Sequence, residues 1–379
     1  MDIEKIFHMK GGHDDTSYSK NSTLQKKASE MVKQITMETI QEVYLTTSPQ
    51  NLAVADLGCS TGSNSLSIIK ELYNAVINAY NKAQNNGPKS PPPQLCVYLN
   101  DLPTNDFNSI FKALPEFYQN NICKEVDDGN RVNGSDQQGY IRPSVFVAAC
   151  PGSFYAPVFP PNFLHFVYSS YSLHWLSKVP NGIYDENGES MNKGCIYICK
   201  ESPASIIQAY VQQFQDDFSR FLRLRSQELK NGGRMVLVLL GRENTNHIDR
   251  GNSFLWQLLA QSFRILVSKG LIPEEKLNSY DVHFYAPSKE EMQEEVRKEG
   301  SFKMVRFEMF EIERDENYGD NYGVDVARTV RAIQESMISH HFGEDILDDL
   351  FDTYAKLIDE EMSMQDIRPV TFVLVLNKV

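Results

Sequence analysis

The stretch Leu52-Ala53-Val54-Ala55-Asp56-Leu57-Gly58-Cys59-Ser60-Thr61-Gly62 carries a short apolar run straight into a turn bracketed by glycines. A run this short that ends in glycine predicts a buried strand entering a tight turn. Ser65–Lys82 follows with long amphipathic helical spacing, so the order is strand, turn, helix. Glycines in such a turn let the backbone approach a ligand closely, and the helix N-terminus offers free N–H donors. The pattern is neither the dinucleotide GxGxxG nor a P-loop, since no GK[ST] follows. By itself, Asp56-x-Gly58-x-x-x-Gly62 is a moderate signal for a ligand, the other reading being a strand–turn–helix with none.

Upstream, residues 1–25 are polar and rich in Gly, Ser and Lys, predicting a mobile arm that leads into a helix near residue 23. Met31–Tyr44 has helical spacing. Downstream, Gln94–Leu99, Val145–Ala149, Phe163–Ser169 and Met235–Leu240 read as strands, with Ile206–Leu229 a helix stopped by Gly232-Gly233. Residues 85–93 (NNGPKSPPP) read as a connector, and the polar segment 123–140 as a surface loop. This alternation predicts an α/β fold with a doubly wound, mostly parallel sheet. The core spans about 45–240 plus late strands at 301–312 and 369–377. Beyond residue 241 the helical stretches 254–269, 289–298, 324–340 and 345–361 predict a cap, mainly 241–300 and 324–361. Such a cap suits the carboxyl ends of the strands, where open α/β sheets bind ligands.

A second acid, Asp101, ends the next strand in Leu99-Asn100-Asp101-Leu102-Pro103. Its carboxylate suits two ribose hydroxyls, and Leu102 offers an apolar wall to adenine; a lone strand-end Asp is otherwise often an N-cap. Paired with the glycine turn, it points to a nucleoside ligand without phosphates, such as S-adenosylmethionine rather than NAD.

Charge and composition narrow the partners. The 379 residues carry 37 basic and 50 acidic side chains, a formal charge of −13, which repels phosphate backbones and argues against nucleic acid. No apolar run approaches a membrane span and no signal-peptide core opens the chain, so a cytoplasmic protein is expected. Of six cysteines, none forms a CxxC pair, and buried reduced thiols are expected rather than disulfides or a zinc site.

The chain resembles the plant SABATH methyltransferases, which act on salicylate, jasmonate, benzoate and xanthines. The resemblance rests on His8-Met9-Lys10-Gly11-Gly12 with Ser17-Tyr18 and Asn21-Ser22, on 100–108 (NDLPTNDFN), 151–155 (PGSFY) and 169–177 (SSYSLHWLS), and on Phe342-Gly343-Glu344. It implies a class I, Rossmann-like methyltransferase core with a helical cap, often dimeric. It also implies that Tyr18, Ser22, Asp56, Gly58, Cys59, Asn64, Asp101, Leu102, Ser153, Phe154 and Ser170 serve the cofactor. Gln25 and Trp175 would donate hydrogen bonds to the methyl acceptor, Tyr171 and His174 would line its pocket, and the arm carrying Lys10 would close over it.

Salicylate-specific members place methionines on both faces of the ring; here His174 and Val330 stand there, which points away from a strict salicylate clamp. The usual Arg after PGSFY is replaced in Ala156-Pro157-Val158, and Ser63 stands where Pro is common. Some relatives carry magnesium at positions matching Asn192, Asn278, Tyr280 and Asp281, with Asp and Asn exchanged here relative to D-x-F-N. Oxygen ligands suit that cation, and a capped loop is the other reading.

The reaction expected is transfer of a methyl group to the carboxylate of a small benzoate-, cinnamate- or jasmonate-like acid. Such an acid is already ionised at neutral pH, so no proton-transfer catalyst is assigned. The enzyme alternative is N-methylation of a xanthine, in which His174 would matter more. A sensor that keeps the fold without catalysis is the alternative of another class.

Overall fold

Strand β1 (Asn51–Leu57) is buried from Leu52 to Leu57 because it lies at the centre of a sheet covered on both faces. Its side chains alternate, as a pleated strand requires: Ala53, Ala55 and Leu57 enter one core, and Leu52 and Val54 enter the other. The computed structural model describes residues 3–12, 14–84, 91–122, 144–312 and 322–379.

In chain order, α1 (Ile3–Ile6) and α2 (Thr23–Thr47) precede β1, and α3 (Ser63–Gln84) leads to β2 (Gln94–Asp101). Then come α4 (Phe107–Phe117), β3 (Val145–Pro151), β4 (Leu164–Ser170), α5 (Ala204–Glu228) and β5 (Leu229–Gly241). Helices α6 (Asn252–Ser268), α7 (Glu274–Asn278) and α8 (Lys289–Glu299) precede β6 (Phe302–Glu311). The chain ends with α9 (Tyr322–Phe342), α10 (Leu347–Met362) and β7 (Val370–Lys378). The seven strands lie in the order β3-β2-β1-β4-β5-β7-β6. The first five are parallel, and β7 runs antiparallel to β5 and β6. The doubly wound, mostly parallel sheet is therefore as expected, with its order reversing beside β1, where a crevice opens.

Helices α2 and α3 cover one face. Against the other lie α5 and α8, with α8 packed on α5 and beside β6. Helix α10 packs on both α6 and α9. These three lend residues to a cavity also lined by Tyr171 and His174 after β4, and by Leu240 at the end of β5. They therefore sit over the carboxyl ends of the strands. Among the described residues, no helix is long and apolar enough to cross a membrane.

Three local expectations change. Gly232-Gly233 does not stop α5 ahead of a later strand; β5 begins at Leu229 and carries both glycines. Leu229 pairs with Leu164 while Arg234 pairs with Phe166, so the strand bulges between them, and Gly232 adopts φ +78° to make the bulge. The arm is not free: Lys10 N–H donates to the Ala332 carbonyl (2.8 Å), and Ser336 Oγ donates to the His8 carbonyl (3.0 Å), tying it to α9. The thiols are not all reduced, because a turn brings the Cys195 and Cys199 Cα atoms to 6.4 Å and their sulfurs form a disulfide. Cys59, Cys96 and Cys150 are free. Cys123, the rest of the 123–140 loop and residues 85–90 of the connector lie outside the described residues.

Candidate active site

The first four strands deliver their carboxyl ends to one small cavity of about 80 Å³, lined by Gly58, Asp101, Gly152, Ser153 and Ser170 among others. Asn100 stitches these ends together. Its carbonyl accepts from Gly58 and Cys59 N–H (2.8 and 2.9 Å), and its side-chain amide donates to the Cys150 and Gly152 carbonyls (2.7 and 2.9 Å). Gly58 has φ +75°, and a Cβ there would collide with Ser172, so the turn demands glycine twice over.

Asp101 accepts from the Ser60 N–H (2.6 Å) and from its neighbour Leu102 (2.8 Å). Burial pushes its carboxyl up to about 6, while those two N–H groups pull the other way. Asp56, one strand over and also buried, rises to about 7, first through burial and then through the Asp101 charge. A carboxylate held by two backbone donors, beside an unpartnered buried Ser60 hydroxyl, fits the two hydroxyls of a ribose. Leu102 and Phe154 supply apolar surface on the same cavity wall.

A larger cavity of about 510 Å³ adjoins it. Met9, Tyr18, Tyr171 and Trp175 line both. Tyr171 sits at φ +57°, unusual for a bulky residue. It is pinned there by its N–H on the Val238 carbonyl (2.7 Å) and its hydroxyl at Thr371 (2.7 Å). Such strain persists only where the surroundings over-determine it.

Gln25, His174, Trp256, Phe284 and Val330 complete much of the larger cavity. The Gln25 amide oxygen is buried without a partner. The His174 Nδ1 accepts from the Leu240 N–H (3.2 Å), which assigns the neutral ring's proton to Nε2. Burial, with the nearby His283 ring, holds His174 down at about 3. The charged residues of this lining are Asp15, Lys20, Lys27, Asp325 and Arg328, none of them buried.

The structure sorts the expected residues. Tyr18, Gly58, Asp101, Leu102, Ser153, Phe154 and Ser170 line the small cavity, and Tyr18, Gln25, Tyr171, His174, Trp175 and Val330 line the large one. Asp56, Cys59, Ser22 and Asn64 stand behind these walls; Asn64 Nδ2 donates to Ser22 Oγ (3.1 Å). Lys10 lines neither cavity, because its ammonium pairs with Glu335 (2.8 Å) and donates to Thr16.

Each residue matched to the relatives' magnesium site has a hydrogen-bond partner within the protein. Asn192 Oδ1 accepts from Ser202 (2.6 Å), and Asn278 Oδ1 accepts from Gly194 N–H (2.8 Å). The Tyr280 hydroxyl donates to Gln334 (3.0 Å), and Asp281 accepts from Tyr184 (2.5 Å).

Sequence reasoning assigned nothing to Arg225 and Glu228, both fully buried. Arg225 donates to the Phe154 and Ala156 carbonyls (3.0 and 3.2 Å), while Glu228 accepts from Val158 and Phe159 N–H (2.8 and 3.1 Å). Together they clamp the loop carrying Ser153 and Phe154. The available signal was an i, i+3 ion pair on the apolar stripe of α5 that includes Phe218, Phe221 and Leu222.

Sheet order, glycine turn, strand-end acid and two joined cavities together describe an S-adenosylmethionine-dependent methyltransferase, and comparison with known proteins establishes that class. A family model described as "SAM dependent carboxyl methyltransferase" matches residues 4–379, and the chain belongs to that family, the SABATH methyltransferases. It is 40% identical to "Probable jasmonic acid carboxyl methyltransferase 1" of Theobroma cacao, over all of both chains. It is 39% identical, again over both full lengths, to the benzoic acid/salicylic acid carboxyl methyltransferase 1 of Petunia hybrida. Among solved structures, loganic acid methyltransferase with SAH matches with a TM-score of 0.81 at 33% identity, covering 98% of each chain.

Proposed function

We propose that this enzyme methylates the carboxylate of a small organic acid, with the small cavity holding the cofactor and the large one the acceptor. The relatives named for jasmonic, benzoic and salicylic acids, and the structure named for loganic acid, support the acid class. The observation that carries the reading is the neutral inner wall of the large cavity, where Gln25, His174 and Trp175 meet with no buried charge. When bound, S-adenosylmethionine would supply a sulfonium-activated methyl group for in-line transfer to the acceptor's carboxylate oxygen, with S-adenosylhomocysteine as the leaving group. The protein's part is alignment and exclusion of water. Met9, Tyr18, Tyr171 and Trp175 form the passage between the two cavities. Amide, indole and imidazole N–H groups hold a carboxylate without neutralising it, whereas a buried Arg would blunt the nucleophile.

His174 strengthens the ester reading over the xanthine reading. With Nδ1 accepting from the backbone, its free nitrogen is a donor, not a base. The relative named for jasmonic acid, 40% identical over all of both chains, supports an acid of jasmonate-like bulk. His174 and Val330 both line the large cavity, where the salicylate clamp would need methionines.

The test is a competition assay with jasmonic, benzoic, cinnamic and salicylic acids and 7-methylxanthine, read by mass spectrometry for gain of one methyl group. The expected order of kcat/KM puts jasmonic acid first and salicylic acid last among the acids. Turnover of 7-methylxanthine alone overturns the proposal.

A further inference from the structure

Arg242 follows β5 directly and is 3% exposed, an unusual place for a guanidinium. Its Nη1 donates to the Tyr285 hydroxyl (3.1 Å) and the Ala286 carbonyl (2.5 Å), and its Nη2 to the Glu291 carboxylate (2.6 Å). The buried Tyr285 hydroxyl in turn donates to Glu291 (2.9 Å). Glu291 also accepts from the Ser288 N–H (3.0 Å), closing the capping box that opens α8. On the backbone, the Arg242 N–H donates to the Pro287 carbonyl (2.9 Å). The charge pair therefore straps the end of β5 to the 284–288 segment and to α8.

The same two stretches hold His174. The Leu240 N–H, at the end of β5, donates to the His174 Nδ1 (3.2 Å) and sets the ring. The Tyr285 N–H donates to the His174 carbonyl (2.8 Å) and sets the backbone. Arg242, Tyr285 and Glu291 line neither cavity, so they reach a ligand only through what they hold. A buried ion pair is weak evidence for stability, since apolar replacements often cost nothing; its best-attested use is to fix one arrangement over near alternatives. Here the arrangement fixed is the register of the β5 end against 284–288. A slip in that register would part the two His174 anchors and turn its Nε2–H. Misplacement by about 1 Å can cost about a hundredfold in activity.

We propose that Arg242 and Glu291 are positioning residues for the methyl acceptor: their pairing fixes the register that aims the His174 Nε2–H at the acceptor's carboxylate. The guanidinium charge stays outside the cavity, so the pair orients the nucleophile without neutralising it. The inference rests on reading the large cavity as the acceptor site.

The experiment combines steady-state kinetics with jasmonic acid, SAH calorimetry and thermal melts. The variants are Glu291→Gln, Arg242→Met/Glu291→Gln and His174→Phe, with each of the first two also placed in the His174→Phe background. Glu291→Gln keeps the capping-box pattern but leaves the buried guanidinium unpaired. It is expected to lower Tm and to raise KM about tenfold, one hydrogen bond's worth, with SAH affinity within a factor of two. The neutral pair Arg242→Met/Glu291→Gln should regain the wild-type Tm while KM stays raised. In the His174→Phe background, either change should move KM less than twofold, because no donor is left to aim. The neutral pair carries this comparison if Glu291→Gln alone does not fold. KM recovering together with Tm, an equal rise in KM with and without His174, or a matching loss of SAH affinity overturns the proposal. If His174→Phe leaves KM as in wild type, the acceptor-site reading of His174 fails instead, and the Arg242 inference with it.

Discussion

The two cavities are built by different means. The smaller is made by backbone at the ends of four strands, with Asn100, and the Ser60 and Leu102 N–H groups on Asp101, holding it to fixed geometry. The larger is made by side chains from the arm, from the turn after β4 and from α6, α9 and α10, elements far apart in sequence. A backbone cradle leaves little room for substitution, whereas a side-chain wall can change its occupant one residue at a time. One half of the enzyme should therefore tolerate almost nothing, and the other should trade acceptors.

The harshest break of this contrast is Gly58→Ala. A Cβ at φ +75° against Ser172 strains the turn, so SAH affinity should fall by a hundredfold or more in calorimetry. Retained affinity would mean the cradle bends, and the contrast would weaken.

Asp101→Asn comes next, with an expected loss of about tenfold to a hundredfold in SAH affinity at pH 7.5, from losing the charged acceptor. The wild-type carboxyl sits at about 6, so it is mostly protonated at pH 5 and ionised at 7.5. The ionised form is the better acceptor, so wild-type affinity should rise over that window while the Asn variant stays flat. Apo stability runs the other way. Asp56 and Asp101 both bind protons more tightly when folded, so their contribution is full below about 4 and lost as pH rises through 6 to 7. Apo Tm measured across pH 5 to 8 tests that sign.

On the acceptor side the effects should be selective. Gln25→Leu should raise KM for the acid about tenfold while SAH affinity stays within a factor of two, as steady-state kinetics and calorimetry can show. Val330→Met is the mildest change. It should lower the ratio of kcat/KM for jasmonic over salicylic acid by severalfold, with no change in SAH binding. A loss of SAH affinity in either variant would join the two cavities energetically.

The same contrast explains what could be read from sequence. Local signals marked the cradle, because a strand, a glycine turn and a strand-end acid are neighbours in the chain. Patterning likewise placed most strands and long helices within a few residues. It missed α1, α4 and α7, and it read Gly232-Gly233 as a helix stop where only the pairing with β4 reveals a bulge. Lys10 was drawn toward the substrate by its place on the arm, but Glu335 lies more than three hundred residues away in sequence and no local pattern foretells that pair.

The central claim is that alignment and desolvation, without proton transfer, carry the methyl to an acid already ionised. Single-turnover methyl transfer at saturating cofactor and jasmonic acid, followed from pH 6 to 9, tests it most directly. A flat rate is expected, unchanged in shape by His174→Gln. A rate that climbs through an ionisation near pH 7, and loses that ionisation in His174→Gln, would contradict it.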